Sequence, residues 1–234
     1  MMSEDIVETE WREDGVKTIY LNRPDIANAI NRELVAALMR ELITSYNDAT
    51  KLLVIRGRGR HFCSGFDRSM MASATRVDHA TLGVEIEAML QTVAAAPFVT
   101  LAHVEGAAVG AGADLVVACD YRIAAKDAVF GFPGFNLLGV SLGNSRLAAR
   151  IGPDHAMKMI LQSERIDADT AHRRGLVTHR MEGEELPPFI DQLAAAIADL
   201  PKATIRHIKQ SIEQGNGRSF GYSRYPEGQG AAIV

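Results

Sequence analysis

The sequence has few of the residues and segments that mark several specialised classes of protein. Cysteine occurs only as Cys63 and Cys119, far apart and without CxxC spacing, so neither a disulfide framework nor a zinc site is predicted. No window reaches the roughly 18 uninterrupted apolar residues that a membrane span needs, and the acidic N-terminal segment lacks the apolar stretch of a signal peptide. We therefore expect a cytoplasmic protein of a reducing compartment, with no membrane partner.

An excess of positive charge is also missing. Lysine and arginine number 25 against 29 aspartates and glutamates, a formal net charge of -4. A protein without a cationic field does not collect phosphate backbones, so nucleic acid is not expected as a main partner. The 234 residues are 47% hydrophobic and 23% charged, which is a globular composition, and folding of such a chain buries roughly 70% of its unfolded surface.

Short apolar runs alternate with segments of helical periodicity in the first two thirds of the chain. This order describes βαβ units with right-handed crossovers and hence an α/β core. Asn31 is the expected N-cap of the first helix. After Ser145 the pattern is mainly helical, with a helix expected at 167–175 and a strand within 176–181. The strands predicted before Ser145 are 16–21, 51–57, 98–106 and 121–125, and the helices are 31–48, 82–95 and 113–120.

Two loops, FCSGFD at 62–67 and GAAVGAGAD at 106–114, each follow a predicted buried strand. Their glycines allow backbone N–H groups to come close to a ligand. The second loop superficially matches a dinucleotide-binding fingerprint. That fingerprint belongs to a first βαβ unit and needs an acidic residue about 20 positions onward, whereas these glycines lie in mid-chain. A purely structural tight turn is the alternative to a ligand-binding loop.

Four long motifs, in the same order and spacing, carry a family resemblance. Over about residues 6–212 the chain resembles the crotonase (enoyl-CoA hydratase/isomerase) superfamily. The motifs are LNRPDIANAINREL, RGRGRHFCSGFD, HVEGAAVGAGADLVVACDYRIAAKDAVFGFP and RIDADTAHRRGLVTH.

The resemblance implies an α/β fold with a crotonase-like ββα superhelix core and a C-terminal helical region. We expect the core at 1–145, a helical oligomerisation or lid region at 146–215 and a flexible tail at 216–234. It also implies a homotrimer or hexamer that acts on an acyl-CoA thioester, with no metal and no cofactor beyond the coenzyme A of the substrate.

The same resemblance assigns an oxyanion hole to two backbone N–H groups, those of Phe66 and Ala111. Two fixed donors in a dry pocket stabilise the negative charge that develops on a thioester oxygen. Ala111 stands where the family usually has glycine, which a backbone donor tolerates. The positions matched to coenzyme A or substrate contacts are Asp25, Ala27, Asn28, Ser64, Gly65, Asp67, Gly110 and Gly134.

The acid/base positions depart from the hydratase pattern, which has two glutamates. The first falls on Asp114, a carboxylate one methylene shorter, whose reach is less by roughly 1.5 Å. The second falls on Gly134, and no carboxylate stands there. The nearby Asn136, Ser141 and Asn144 hydrogen-bond but do not act as bases at neutral pH.

Each candidate also has an interpretation without chemistry. Asp114 is either the N-cap of the helix that follows it, the catalytic carboxylate, or both. Asp120 is expected to be a structural acceptor, and His61 and His103 to be packed or solvated. Cys63 is expected in the pocket wall, since no paired base is evident. The residues expected to line an acyl pocket or the core are Met70, Met71, Met89 and Leu90.

The sequence thus favours an enzyme of the hydratase/isomerase type that acts on an acyl-CoA, or carrier-bound acyl, thioester through an enolate. Decarboxylation needs least from Asp114 and is the second chemistry, followed by thioester or C–C hydrolysis. A non-catalytic acyl-CoA-binding homologue is the alternative from another class. It is favoured by the altered acid/base positions and by the short C-terminal segment.

Overall fold

The computed structural model describes residues 5–67, 69, 76–138 and 142–215. The tail expected at 216–234 lies outside them. The strands are β1 (Val7–Trp11), β2 (Val16–Leu21), β3 (Leu52–Gly57), β4 (Val99–Val104), β5 (Ala107–Val109), β6 (Tyr121–Ala124), β7 (Val129–Gly131), β8 (Arg165–Asp167) and β9 (His179–Arg180). The helices are α1 (Arg32–Asn47), α2 (Arg76–Ala94), α3 (Ala111–Ala118), α4 (Gly134–Leu138), α5 (Asn144–Ile151), α6 (Pro153–Leu161), α7 (Ala168–Arg173), α8 (Leu186–Ile197) and α9 (Lys202–Gly215).

The strands form two sheets. The larger has the order β1-β2-β3-β4-β6-β9 and is parallel except for β1, which pairs with β2 as an antiparallel edge strand. The smaller has the order β5-β7-β8. The loops that follow β3 and β4 leave the larger sheet at the same edge, because parallel neighbours end on one side.

Both faces of the larger sheet are covered, which explains the continuous apolar run of β3. Leu53 and Ile55 face the main core with α1, α2 and α3, whereas Leu52 and Val54 face a second cluster built with α8. A strand buried on both faces reads as an uninterrupted hydrophobic segment. The predicted α/β architecture is confirmed.

Helix α1 begins where its sequence predicts. The side chain of Asn31 accepts a hydrogen bond from the backbone N–H of Leu34 at 2.9 Å, so Asn31 is the N-cap. Leu34, Leu38 and Leu42 are buried at helical spacing against the core. Just before α1, the N–H of Ile30 donates to the carbonyl oxygen of Gly65 at 2.7 Å, so the turn is held against the loop that follows β3.

Several strands were not expected from the sequence. Strand β1 is acidic and largely exposed, so its only signal is a weak alternation at the edge of the sheet. Strand β8 occupies 165–167 and ends at Asp167, the first residue of the helix expected at 167–175. Asp167 is the N-cap of α7 rather than its first helical residue. The region 146–215 therefore contributes β8 and β9 to the sheets as well as helices. Among the described helices, none is long and apolar enough to cross a membrane.

Candidate functional site

The two glycine-containing loops lie side by side and are joined by backbone hydrogen bonds. The N–H of Cys63 donates to the carbonyl oxygen of Ala107 at 3.0 Å, and the N–H of Val109 donates to the carbonyl oxygen of Cys63 at 2.9 Å. This pattern is a short parallel ladder between 62–67 and β5. The loops are thus fixed to one another by main-chain bonds, independently of side-chain identity.

Glycine is required where the two loops touch. Gly65 has a φ of +89°, and a Cβ at this position would lie 2.7 Å from the carbonyl oxygen of Val109 and 3.6 Å from the amide nitrogen of Ala111. Gly110 has a φ of +54° and serves as the N-cap of α3. Both residues have a positive φ, which favours glycine, and at Gly65 the close approach of Val109 adds a steric reason. The backbone of Gly65, the residue before Phe66, therefore lies next to the amide of Ala111.

The N–H groups of Phe66 and Ala111 have no hydrogen-bond acceptor within the part of the chain that the structure describes. Ala111 is the first residue of α3, and the first N–H groups of a helix lack intrahelical partners. Phe66 forms an isolated parallel bridge with Ile30 in which Gly65 and Asp67 make the bonds, so its own N–H points the other way. Two donors therefore remain available for an anionic oxygen.

Asn28 holds the turn before α1 against the first loop. Its side chain is fully buried, donates to the carbonyl oxygens of Arg58 at 3.0 Å and His61 at 2.7 Å, and accepts from the N–H of Arg23 at 2.8 Å. Its φ of +53° is a left-handed conformation that asparagine tolerates. Asn28 therefore acts as a brace for the turn, and its predicted contact with coenzyme A or substrate stays a prediction.

The other residues matched to ligand contacts surround this turn. Ala27 accepts the N–H of Ser64 at 2.9 Å, and Ser64 is exposed, as is Asp25 on a one-turn 3-10 helix. Asp67 is almost fully buried in an ion pair with Arg23 at 2.8 Å. The side-chain oxygens that face solvent are therefore those of Asp25 and Ser64, and direct ligand contact by these residues stays a prediction.

Asp114 lies in the first turns of α3 with its carboxyl group buried. The side chain is 5% exposed, and its Oδ1 has no hydrogen-bond partner among the described residues. Burial raises the pKa of Asp114 well above its ordinary value, while Arg146 acts in the opposite direction and Glu87 in the same direction. The N-cap interpretation is wrong, because the helix begins at Ala111 and Asp114 is its fourth residue.

The position of the second family carboxylate is the start of α4. Gly134 is helical and is not among the glycines with positive φ. The amide of Asn136 donates to the carbonyl oxygen of Leu161 at 2.9 Å and to Oγ of Ser163 at 2.8 Å, which ties α4 to the end of α6. Asn136 is therefore a structural link, and Ser141 lies outside the described residues.

The remaining candidates are structural. Burial raises the pKa of the Cys63 thiol to about 12, so this residue is no thiolate nucleophile. Nδ1 of His61 accepts the N–H of Ala107 at 3.1 Å, and His103 is buried on β4, where burial lowers its pKa. Asp120 accepts the N–H of Thr100 at 2.8 Å, as expected for a structural acceptor. Met89 and Leu90 belong to the core, and Met70 and Met71 lie outside the described residues.

One ion pair next to Asp114 was missed from the sequence. Arg146 on α5 forms a bidentate bond to Glu87 on α2, with N–O distances of 2.8 and 2.7 Å. The two residues are 59 positions apart, and neither belongs to a recognisable motif. No sequence signal available from one chain would have paired them.

Comparison with known proteins fits this arrangement. A family model described as enoyl-CoA hydratase/isomerase matches residues 11–219. The chain belongs to the enoyl-CoA hydratase/isomerase family. This confirms the resemblance found in the motifs and makes the chain an enoyl-CoA hydratase/isomerase-like enzyme.

Relatives and solved structures of the family match most of the chain. The crotonyl-CoA hydratase of Syntrophomonas wolfei is 31% identical over 209 residues, which cover 87% of this chain and 80% of the relative. The 2,3-dehydroadipyl-CoA hydratase of Escherichia coli is 32% identical over 216 residues, 91% of this chain and 83% of the relative. The enoyl-CoA hydratase structure from Bacillus anthracis superposes with a TM-score of 0.84 at 27% identity, covering 92% of this chain and 84% of that one. The crotonase-like fold is thereby confirmed.

Proposed function

We propose that this member of the enoyl-CoA hydratase/isomerase family hydrates or isomerises an acyl-CoA, or carrier-bound acyl, thioester through an enolate. The oxygen of the enolate accepts hydrogen bonds from the N–H groups of Phe66 and Ala111. The observation that carries the proposal is a pair of backbone donors, in two loops joined by main-chain bonds, that have no acceptor among the described residues; Ala111 lies one helical turn before a buried carboxyl group. Donors of this kind, aimed at developing charge in a dry site, are typically worth about 3–4 kcal/mol each.

Asp114 moves the proton in this proposal. In hydration, the ionised carboxylate takes a proton from a water whose oxygen bonds to the β-carbon, and the electrons of the C=C bond move to the carbonyl oxygen. The α-carbon then takes the proton from Asp114, and the carbonyl re-forms. In isomerisation, Asp114 removes an α-proton from a 3-enoyl thioester and returns it to the γ-carbon. Neither route consumes a cofactor.

The environment of Asp114 suits this task. A general base works best when its pKa lies near the pH of the reaction, and an ordinary aspartate is too weak a base for a carbon acid. Burial in α3 raises the pKa of Asp114, which makes the ionised form a stronger base.

The absent carboxylate at Gly134 supports the rival functions. Decarboxylation makes the enolate by loss of CO₂ and needs only the two N–H donors, and thioester or C–C hydrolysis needs one base. A non-catalytic acyl-CoA-binding protein would need no base. The donors of Phe66 and Ala111 do not distinguish these functions, so the products, or their absence, separate them.

The test is turnover and binding with a panel of coenzyme A thioesters. The panel contains a 2-enoyl, a 3-enoyl and a malonyl-type thioester, with products identified by mass spectrometry, and D114N is the matched variant. The proposal predicts hydration or double-bond migration that D114N loses. Loss of CO₂ as the dominant reaction would favour the decarboxylase. Thermal stabilisation by every thioester without turnover would favour the binding protein, and no stabilisation by any thioester would contradict both.

We also propose that the chain recognises coenzyme A by backbone turns at Ala27 and Ser64 and assembles as a trimer or hexamer. The cations at the turn, Arg23 and Arg58, are paired with Asp67 and Glu8, so we expect binding to weaken only modestly with added salt. Exposed apolar side chains on the C-terminal helices, such as Met157, Ile208 and Ile212, support self-association. Light scattering that finds only monomer over a wide concentration range would contradict the assembly.

A further inference from the structure

Asp114 and Arg146 face each other across the bare Cα of Gly143. Gly143 is the N-cap of α5 and has a φ of +63°. A Cβ at this position would lie 2.9 Å from Oδ1 of Asp114, 3.2 Å from Nη2 of Arg146 and 3.5 Å from its Nε. The carboxyl group and the guanidinium group thus approach one point from two helices, and glycine leaves that point open.

The two atoms at this point are an unpaired acceptor and an unpaired donor. Oδ1 of Asp114 and Nε of Arg146 are both buried without a hydrogen-bond partner among the residues that the structure describes. Buried polar atoms are nearly always hydrogen-bonded in native proteins, to protein or to ordered water. An orphan acceptor beside an orphan donor indicates that a small polar species, such as a water, bridges them during function.

Glu87 holds Arg146 in this position. Both carboxylate oxygens bind the guanidinium group at 2.7 and 2.8 Å, and Glu87 also accepts the backbone N–H of Gly143. The hydrogen bonds from Arg146 lower the pKa of Glu87. Glu87 therefore stays ionised and clamps both the arginine and the turn, and it does not shuttle protons.

We propose that Arg146, clamped by Glu87, is the positioning residue that keeps Asp114 ionised and oriented for proton transfer. This inference rests on the proposed function of Asp114. An opposite charge at close range favours the ionised form of a carboxyl group, whereas a buried carboxyl group without one stays protonated and accepts no proton. In the described chain, the charged groups that face Asp114 are Arg146 from α5 and Glu87 from α2.

The test is a direct titration of Asp114 in variants of the pair. The carboxyl carbon of Asp114 is followed by ¹³C NMR against pH, with D114N to assign its resonance. R146M should raise the pKa of Asp114 by about one pH unit or more, R146K should change it little, and E87Q should lower it. If the ion pair of Arg146 and Glu87 had only a structural role, the two substitutions would not shift the pKa of Asp114 in opposite directions. The acid limb of the kcat/KM profile should move with the titration.

R174M is the matched control. Arg174 forms a bidentate pair with Glu164, at 2.8 and 3.0 Å, that contacts neither Asp114 nor Gly143. Its loss should leave the titration of Asp114 unchanged. An unchanged titration in R146M would overturn the inference, and if R146M does not fold, an unchanged or raised pKa in E87Q would do so. The titration needs no substrate. If the protein turns over no thioester, the proposed function is contradicted, whereas the titration still tests the role of Arg146.

Discussion

The backbone N–H of Val109 donates to the carbonyl oxygen of Cys63 at 2.9 Å and fastens one loop of the candidate site to the other. Through this bond the positions of the Phe66 and Ala111 amides depend on each other. Because the link is main-chain to main-chain, substitutions that change only side chains should leave the donors in place. Changes to the backbone of either loop should remove them.

The first prediction concerns the second donor. Ala111 is the first residue of α3, where proline is tolerated because its missing N–H has no helical partner. Ala111→Pro should therefore keep the helix while removing one hydrogen bond to the enolate oxygen. We expect kcat per folded molecule to fall by about 10²–10³.

Ala111→Gly is the matched control, since it keeps the N–H and restores the residue usual in the family. Its kcat should stay within a few-fold of the parent, and circular dichroism verifies the fold of both variants. Equal activity of the proline and glycine variants would show that Ala111 donates no hydrogen bond that matters in the reaction.

The second prediction concerns the brace before α1. Asn28→Ala removes three buried hydrogen bonds and places alanine at a φ of +53°. We expect a loss of about 2–4 kcal/mol in the free energy of unfolding, measured with urea. Asn28→Gly loses the same bonds without the left-handed strain and should be less destabilised by about 1 kcal/mol. A cost below 1 kcal/mol for alanine would show that Asn28 is no brace.

The third prediction concerns pH and stability. Because burial raises the pKa of Asp114, the folded protein holds this proton more tightly than the unfolded chain does. The stabilising contribution is full below the pKa of an unfolded aspartate, about 3.9, and is lost as the pH rises through the folded-state pKa. Each unit by which a pKa is raised corresponds to about 1.4 kcal/mol at high pH.

Asp114→Asn removes the charge and should therefore stabilise the protein more at about pH 8 than at about pH 5. Urea unfolding of parent and variant at the two pH values measures the difference. A variant advantage that shrinks with rising pH would mean that Asp114 is ionised at little cost in the folded protein.

Sequence periodicity was sufficient for elements with a buried face. The run at 16–21 and the helix from Asn31 were predicted because their apolar residues repeat at the period of a strand and a helix. Strand β1 was not predicted, because an exposed edge strand needs no apolar face and so leaves no hydrophobic pattern in the sequence. Of the two interpretations of Asp114, the N-cap was wrong because α3 begins in a glycine loop, where Gly110 supplies the turn without a capping side chain.

The site was predictable only through resemblance. Backbone donors such as those of Phe66 and Ala111 leave no side-chain signature, and only long matched motifs indicate them. The pair of Glu87 and Arg146 joins α2 to α5, which both pack against α3, and periodicity does not specify that arrangement. Tertiary contacts of this kind decide the charge around Asp114.

The fourth prediction restores the missing carboxylate. Gly134 is helical, so glutamate can adopt its backbone conformation without left-handed strain. A general acid–base group typically raises the rate by about 10²–10⁴. A carboxylate newly placed by mutation should contribute less than an evolved one. We therefore expect Gly134→Glu to raise the rate of crotonyl-CoA hydration about tenfold. Gly134→Gln, of the same size but without proton transfer, is the control. Equal rates for the two variants would show that the position does not face the reacting double bond.

The most direct measurement of the central claim is exchange of the α-protons of butyryl-CoA with deuterated solvent, followed by NMR. Exchange requires both enolate formation and proton transfer, whichever product the natural substrate yields. The parent protein should catalyse exchange, and D114N should slow it by about 10²–10⁴. Exchange that D114N leaves intact would assign the base to another residue, and a bound thioester that does not exchange at all would contradict the enolate mechanism.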